Sequence, residues 1–164
     1  MKQIFADTFY WIALLNPKDD WHQIALNYAH NCINDQLITT DGIIDEILNY
    51  ASCRGTIMRQ KALLMCTQML REKTIQVISY TPELRQLGFE LYKQRSDKGY
   101  SITDCISMII MQQMDIFEVL THDKHFTQEG FIILYLKNRT TIKWSQRLLG
   151  KITLLLFKFG KVYK

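Results

Sequence analysis

Proline is scarce in this chain, at two positions in 164, while 48% of the residues are hydrophobic. That combination excludes a disordered polymer and describes a folded globule. The four cysteines, Cys32, Cys53, Cys66 and Cys105, form no CxxC pair. Zinc-finger spacing is thereby ruled out, and reduced, mostly buried thiols in a cytoplasmic protein are expected. No apolar h-region opens the chain, and no run approaches the roughly 20 apolar residues of a membrane span. There is no GxSxG elbow and no Walker loop, which removes those routes to nucleophilic catalysis and nucleotide hydrolysis. Repeats, low-complexity segments and linkers are also missing, so the length fits one domain with a core of ordinary size.

Acidic residues are absent after Glu129. Residues 1–134 hold 12 Lys and Arg against 16 Asp and Glu, and residues 135–164 hold 8 Lys and Arg with no acid. A mildly acidic body therefore precedes a strongly basic end, and the expected division is a domain over 1–136 and an extension over 137–164. In the extension, basic residues mix with Leu148, Leu149, Ile152, Leu154, Leu155, Leu156, Phe157 and Phe159. Such a segment could extend an RNA-binding surface through phosphate contacts or lie on an anionic membrane. It could equally be a tail appended by a lost stop codon or a frameshift.

What the chain does have is acids at the ends of apolar runs. Lys2 to Ala6 reads as a strand ended by Asp7, and Thr8 to Leu15 as a helix stopped by Asn16-Pro17. A second helix spans Asp20 to Asn34 and a strand Gln36 to Thr39. The next helix carries Ile43, Ile44, Ile47, Leu48 and Ala51; at 100° per residue, Asp45 and Glu46 flank opposite sides of that stripe, and periodicity does not choose between them. Thr56 to Arg71 is a longer helix with a stripe of Ile57, Leu63, Leu64, Thr67, Met69 and Leu70. Ile75 to Ile78 is a strand, and Thr81-Pro82 starts a helix that runs to about Arg95. Ser101 to Asp104 opens another apolar helix, Ile116 to Leu120 reads as a buried strand, and Ile132 to Leu136 as an edge strand. Helices between successive strands predict an α/β fold with a mainly parallel sheet of four to five strands, covered on both faces.

Each acid has an ordinary structural use. Asp7 fits a helix N-cap, Asp104 a capping box with Ser101, and Asp123 a turn. Yet ligands of open α/β sheets bind at the carboxyl ends of strands, and Asp7, Glu46, Asp104 and Asp123 can all reach that edge. Gathered carboxylates repel one another, so convergence implies a cation. Oxygen ligands suit Mg²⁺ or Mn²⁺, which make water nucleophilic and neutralise charge in phosphodiester hydrolysis. His122 and His125 bracket Asp123, but no thiolate or further His stands at zinc-ligand spacing; they are expected to line the cleft or a polar turn.

The segments FADTFYWIALLN, TTDGIIDEILN, DKGYSITDCISM and LTHDKHFTQEGF resemble, in order and spacing, the PIN-domain ribonucleases, and within them the VapC-type toxins of bacterial toxin–antitoxin pairs. The resemblance covers about residues 1–134. It implies four acids around Mg²⁺ or Mn²⁺ in a central cleft, which by motif fall on Asp7, Glu46, Asp104 and Asp123 as metal ligands and catalytic residues. Glu46 is thus preferred to Asp45, Thr8 and Thr103 become supporting hydroxyls at best, and Asp97 is a weaker candidate. The resemblance further implies an RNA substrate, a homodimer and a small antitoxin whose tail enters the cleft. Two features depart from the pattern: His122 stands where small or aromatic residues are commoner, and residues 135–164 continue past the usual end. The alternative to a nuclease is a non-cleaving PIN-like module that binds RNA or a protein; a scaffold, however, has no need of four repelling acids. A receiver domain would need an acidic pair after the first strand, where Asp7 stands alone.

Overall fold

The computed structural model describes residues 2–31 and 35–134. Cys32, the proposed boundary at residue 136 and the basic extension lie outside the described residues. In chain order the elements are β1 (Gln3–Ala6), α1 (Thr8–Leu15), α2 (His22–Asn31), β2 (Gln36–Thr40), α3 (Asp41–Ser52), α4 (Gly55–Met69), β3 (Ile75–Ile78), α5 (Pro82–Gln94), α6 (Ile102–Gln113), β4 (Glu118–Leu120), α7 (His125–Gln128) and β5 (Ile132–Ile133). Among the described residues no helix is long and apolar enough to cross a membrane.

All five strands run parallel, in the order β3-β2-β1-β4-β5. The chain steps outward from β1 to β2 and β3, then returns to the other side of β1 to form β4 and β5. Right-handed crossovers of opposite direction place their helices on opposite faces of the sheet. The helix contacts agree: α1, α3 and α4 pack on one another, and α5 packs on α6. This is the α/β arrangement expected from the sequence. Buried from both sides, the central strands are largely apolar, with Ile4, Phe5, Ala6, Ile38, Val119 and Leu120 all in the core. The reversal of direction lies between β1 and β4, and it leaves a crevice at their carboxyl ends.

The end of β1 is pinned in that crevice. The Ala6 carbonyl accepts from Thr39 Oγ1 at 2.9 Å and from Trp11 Nε1 at 3.2 Å, and the Asp7 amide donates to the Leu120 carbonyl at 3.3 Å. Neighbouring helices start where the sequence sets their caps. The Thr40 hydroxyl accepts from the Ile43 amide and the Thr81 hydroxyl from the Leu84 amide, both at 3.2 Å.

The long helix α4 departs from its expected stripe. Its buried face is Ala62, Cys66 and Met69, whereas Ile57, Leu63 and Leu70 are exposed. Small residues at i and i+4 let α4 approach α3, and the larger aliphatics fall on the outer side. The short helix α7 begins at His125, a residue expected to line the cleft or a polar turn, and β5 is shorter than expected. Of the cysteines, Cys66 and Cys105 are buried and Cys53 is exposed.

Helix α6, which carries Asp104, is buried nearly all round, through Cys105, Ile106, Ser107, Met108, Ile110 and Met111. It packs tightly on α5 at Gly88, where an added Cβ would lie 2.5 Å from Ile106 Cγ1 and 3.3 Å from Ile102 Cδ1. Gly88→Ala is therefore expected to destabilise the protein by roughly 1–3 kcal/mol, read as a lower urea midpoint, despite alanine's better helix propensity.

Candidate metal centre

Asp7 ends β1 and occupies the N-cap position of α1, yet its side chain caps nothing. Instead it is buried, and its Oδ2 accepts the Thr121 hydroxyl at 2.8 Å. That hydroxyl also accepts from the Asp123 amide at 3.1 Å. Thr121 is thus the link between the ends of β1 and β4. Sequence spacing does not single out Thr121, because the contact that matters is with a residue distant in the chain.

Glu46 lies on the second turn of α3 and accepts a hydrogen bond from Thr8 Oγ1. Asp45 is exposed, and its charge falls on Cys66 of α4. The structure therefore separates two acids that periodicity left equivalent. Thr8 makes the supporting contact expected of it. Thr103 is buried, and its hydroxyl bonds to Tyr80 rather than to an acid. Asp97 is exposed and pairs with Lys98 at 3.4 Å.

Asp104 completes the capping box anticipated from the sequence. Its Oδ2 accepts from the Ser101 amide at 2.7 Å while its own amide donates to Ser101 Oγ at 3.0 Å. Asp123 also makes the turn contact expected of it, with Oδ1 accepting from the His125 amide at 2.9 Å. These bonds occupy one oxygen of each carboxylate and fix its orientation. Among the described residues, Asp104, Asp123 and His125 form a group whose ligand atoms all lie within 4.8 Å of one another. His122 is exposed and stacks on Phe9 at 3.9 Å, with Trp21 at its edge.

Electrostatics join all four acids. Burial pushes the Asp7 carboxyl up to about 7, helped by the charges of Asp104 and Glu46 and opposed by the Thr121 hydrogen bond. Asp104 is also raised, by burial first and then by Asp123 and Glu46, against the bonds from Ser101. No Lys or Arg among the described residues pairs with any of the four. Two cavities of about 400 and 340 Å³ lie elsewhere, lined by residues such as Lys2 and Gln36 or Met111 and Phe131, and neither includes these acids.

The donor set fits a divalent cation. Carboxylate oxygens dominate it, and the raised Asp7 and Asp104 lack the positive partner that ordinarily offsets such burial. Burial of Asp7, reinforced by the neighbouring charges, gives a signed pH dependence for the metal-free protein. Asp7 ionises near 3.8 when unfolded and near 7 when folded. Stability is then fully present below pH 4 and is lost as the pH rises to 7, by on the order of 4 kcal/mol. In EDTA the urea midpoint should fall between pH 5 and pH 8, and Asp7→Asn should flatten that fall. A midpoint of the parent protein unchanged across this range would contradict the assignment.

No protein-family model and no curated protein matches the chain. Among solved structures, VapC20 of Mycobacterium tuberculosis, a sarcin-ricin loop cleaving toxin, matches it with a TM-score of 0.70 at 22% sequence identity, over 79% of this chain and 96% of that one. The fold of this chain is therefore that of VapC20, a protein that by name stands in the VapC group its four sequence segments resemble.

Proposed function

We propose that this chain is a metal-dependent endoribonuclease acting as the toxin of a toxin–antitoxin pair. The observation that carries the reading is that Asp7 feels the charges of Asp104 and Glu46, and Asp104 those of Asp123 and Glu46, at the β1/β4 switch point, with no Lys or Arg partner among the described residues. The four sequence segments and the fold shared with a sarcin-ricin loop cleaving toxin support the same reading.

Asp7, Glu46, Asp104 and Asp123 would hold Mg²⁺ or Mn²⁺. A divalent cation there supplies charge neutralisation at a phosphodiester and makes water acidic enough to act as a nucleophile near neutral pH. The chain's own groups preorganise the donors. Thr121 directs one oxygen of Asp7, Thr8 orients Glu46, and the Ser101 and His125 amides each hold one oxygen of Asp104 and Asp123. Each donor thus sits on backbone that the fold already fixes, Glu46 within α3 and the others at element ends, which lowers the reorganisation needed when a phosphodiester enters. On the same reading the partners are RNA, a small antitoxin and a second copy of the chain.

The test compares neighbouring acids. Glu46→Gln and Asp104→Asn should each lower Mg²⁺-dependent RNA cleavage by roughly two orders of magnitude or more, with the fold intact. Asp45→Asn should cleave at the parent rate and change stability by no more than about 0.5 kcal/mol. Equal losses from Asp45→Asn and Glu46→Gln would overturn the assignment.

A further inference from the structure

The geometry points to His125 as a nitrogen ligand of the metal centre, one that makes the site prefer Mn²⁺ to Mg²⁺. The inference rests on the proposed metal site and extends it beyond the four acids.

His125 Nδ1 lies 3.2 Å from Asp123 Oδ2. The atom is shielded from solvent and makes no hydrogen bond. A buried ring nitrogen without a hydrogen-bond partner is costly unless something else takes its lone pair or its proton. The group of ligand atoms within 4.8 Å of one another contains this histidine together with Asp104 and Asp123. A cation between those two carboxylates would find the imidazole on its periphery.

The ring is held in place by a network that reaches away from the acids. It rests against Tyr100, with centroids 5.0 Å apart, and the Tyr100 hydroxyl bonds Gln128 Oε1 at 3.2 Å and Glu129 Oε1 at 3.1 Å. Arg95 grips Glu129 with both arms, at 2.7 and 3.0 Å. The ring also lies close to Gly99, where an added Cβ would be 3.7 Å from Cε1. With its main chain tied to Asp123 and its ring braced by Tyr100, the imidazole is preorganised, as ligands supported by surrounding contacts are.

The donor chemistry sets the consequence. Mg²⁺ is a hard ion that favours oxygen and keeps its waters, so an added imidazole gives it little. First-row transition ions accept imidazole readily, with affinity rising along the series from Mn²⁺. Two carboxylates and an imidazole therefore select a transition ion more strongly than carboxylates alone.

The experiment titrates Mn²⁺ and Mg²⁺ separately into metal-free protein by calorimetry, using the full chain, His125→Ala and His125→Asn. Circular dichroism confirms that each variant is folded. Both variants should lose Mn²⁺ affinity by about tenfold or more and keep Mg²⁺ affinity within about twofold. Pulsed EPR of Mn²⁺ bound to the unaltered protein should show a ¹⁴N coupling, a readout that needs no variant. Absence of that coupling, or variants that bind both ions as well as the parent or better, would overturn the assignment of His125. Asp104→Asn separates this result from failure of the centre itself, since that variant should lose both ions. If it binds both at the parent affinity, the cation does not sit among these acids and both readings fall.

Discussion

Carboxylates that cannot escape one another dominate this molecule. Asp7 is carried into the core directly behind the buried Ile4, Phe5 and Ala6 of β1, and its backbone is locked to Leu120 and pinned through Ala6 by Thr39 and Trp11. It has no freedom to swing into water. Asp104 is held by its capping box, and Glu46 by Thr8. Each of these contacts is locally favourable, and together they hold negative charges within range of one another. The Asp7 and Asp104 carboxyls are raised by burial first and by that repulsion after it. A bound divalent cation would resolve the repulsion.

The sheet supplies the meeting place. In a parallel sheet of order β3-β2-β1-β4-β5, only β1 and β4 are neighbours whose connections leave in opposite directions. Residues that follow those two strands are not covered by a crossover helix and can face a common crevice. Asp7 and Asp123 come from these two strand ends, and Thr121 bonds both at once. Glu46 and Asp104 arrive from helices that begin beside the same edge. The chemistry proposed for the chain thus depends on topology before it depends on any single side chain.

Much of this was legible in the residues. Strand β3 spans Ile75–Ile78 as read, and α1 spans Thr8–Leu15, because Asp7 and Asn16-Pro17 mark its limits without ambiguity. The capping box at Ser101 and Asp104 followed from spacing alone. Other features were hidden for physical reasons. Asp45 and Glu46 flank one stripe, and only the helix packed beside them distinguishes their surroundings. The buried face of α4 combines the small Ala62 and Cys66 with Met69, while Ile57 and Leu63 point outward, so hydrophobicity misreads which side faces in. His122 and His125 looked alike in sequence. One stacks on Phe9, and the other is turned toward Asp104 and Asp123 by the short helix α7, which is too brief to show a period. Thr121 carried no pattern at all, since its role depends on a contact with a residue 114 positions away.

The central claim is that these acids share a cation, and proton release tests it most directly. Calorimetric titration of Mn²⁺ at pH 7, repeated in buffers of different ionisation enthalpy, counts the protons displaced on binding. With Asp7 ionising near 7 in the metal-free fold, binding should expel roughly half a proton from that group, and Asp7→Asn should lower the release. Saturable binding with no proton release, or a release unaltered by Asp7→Asn, would contradict a cation held by Asp7 and its neighbours.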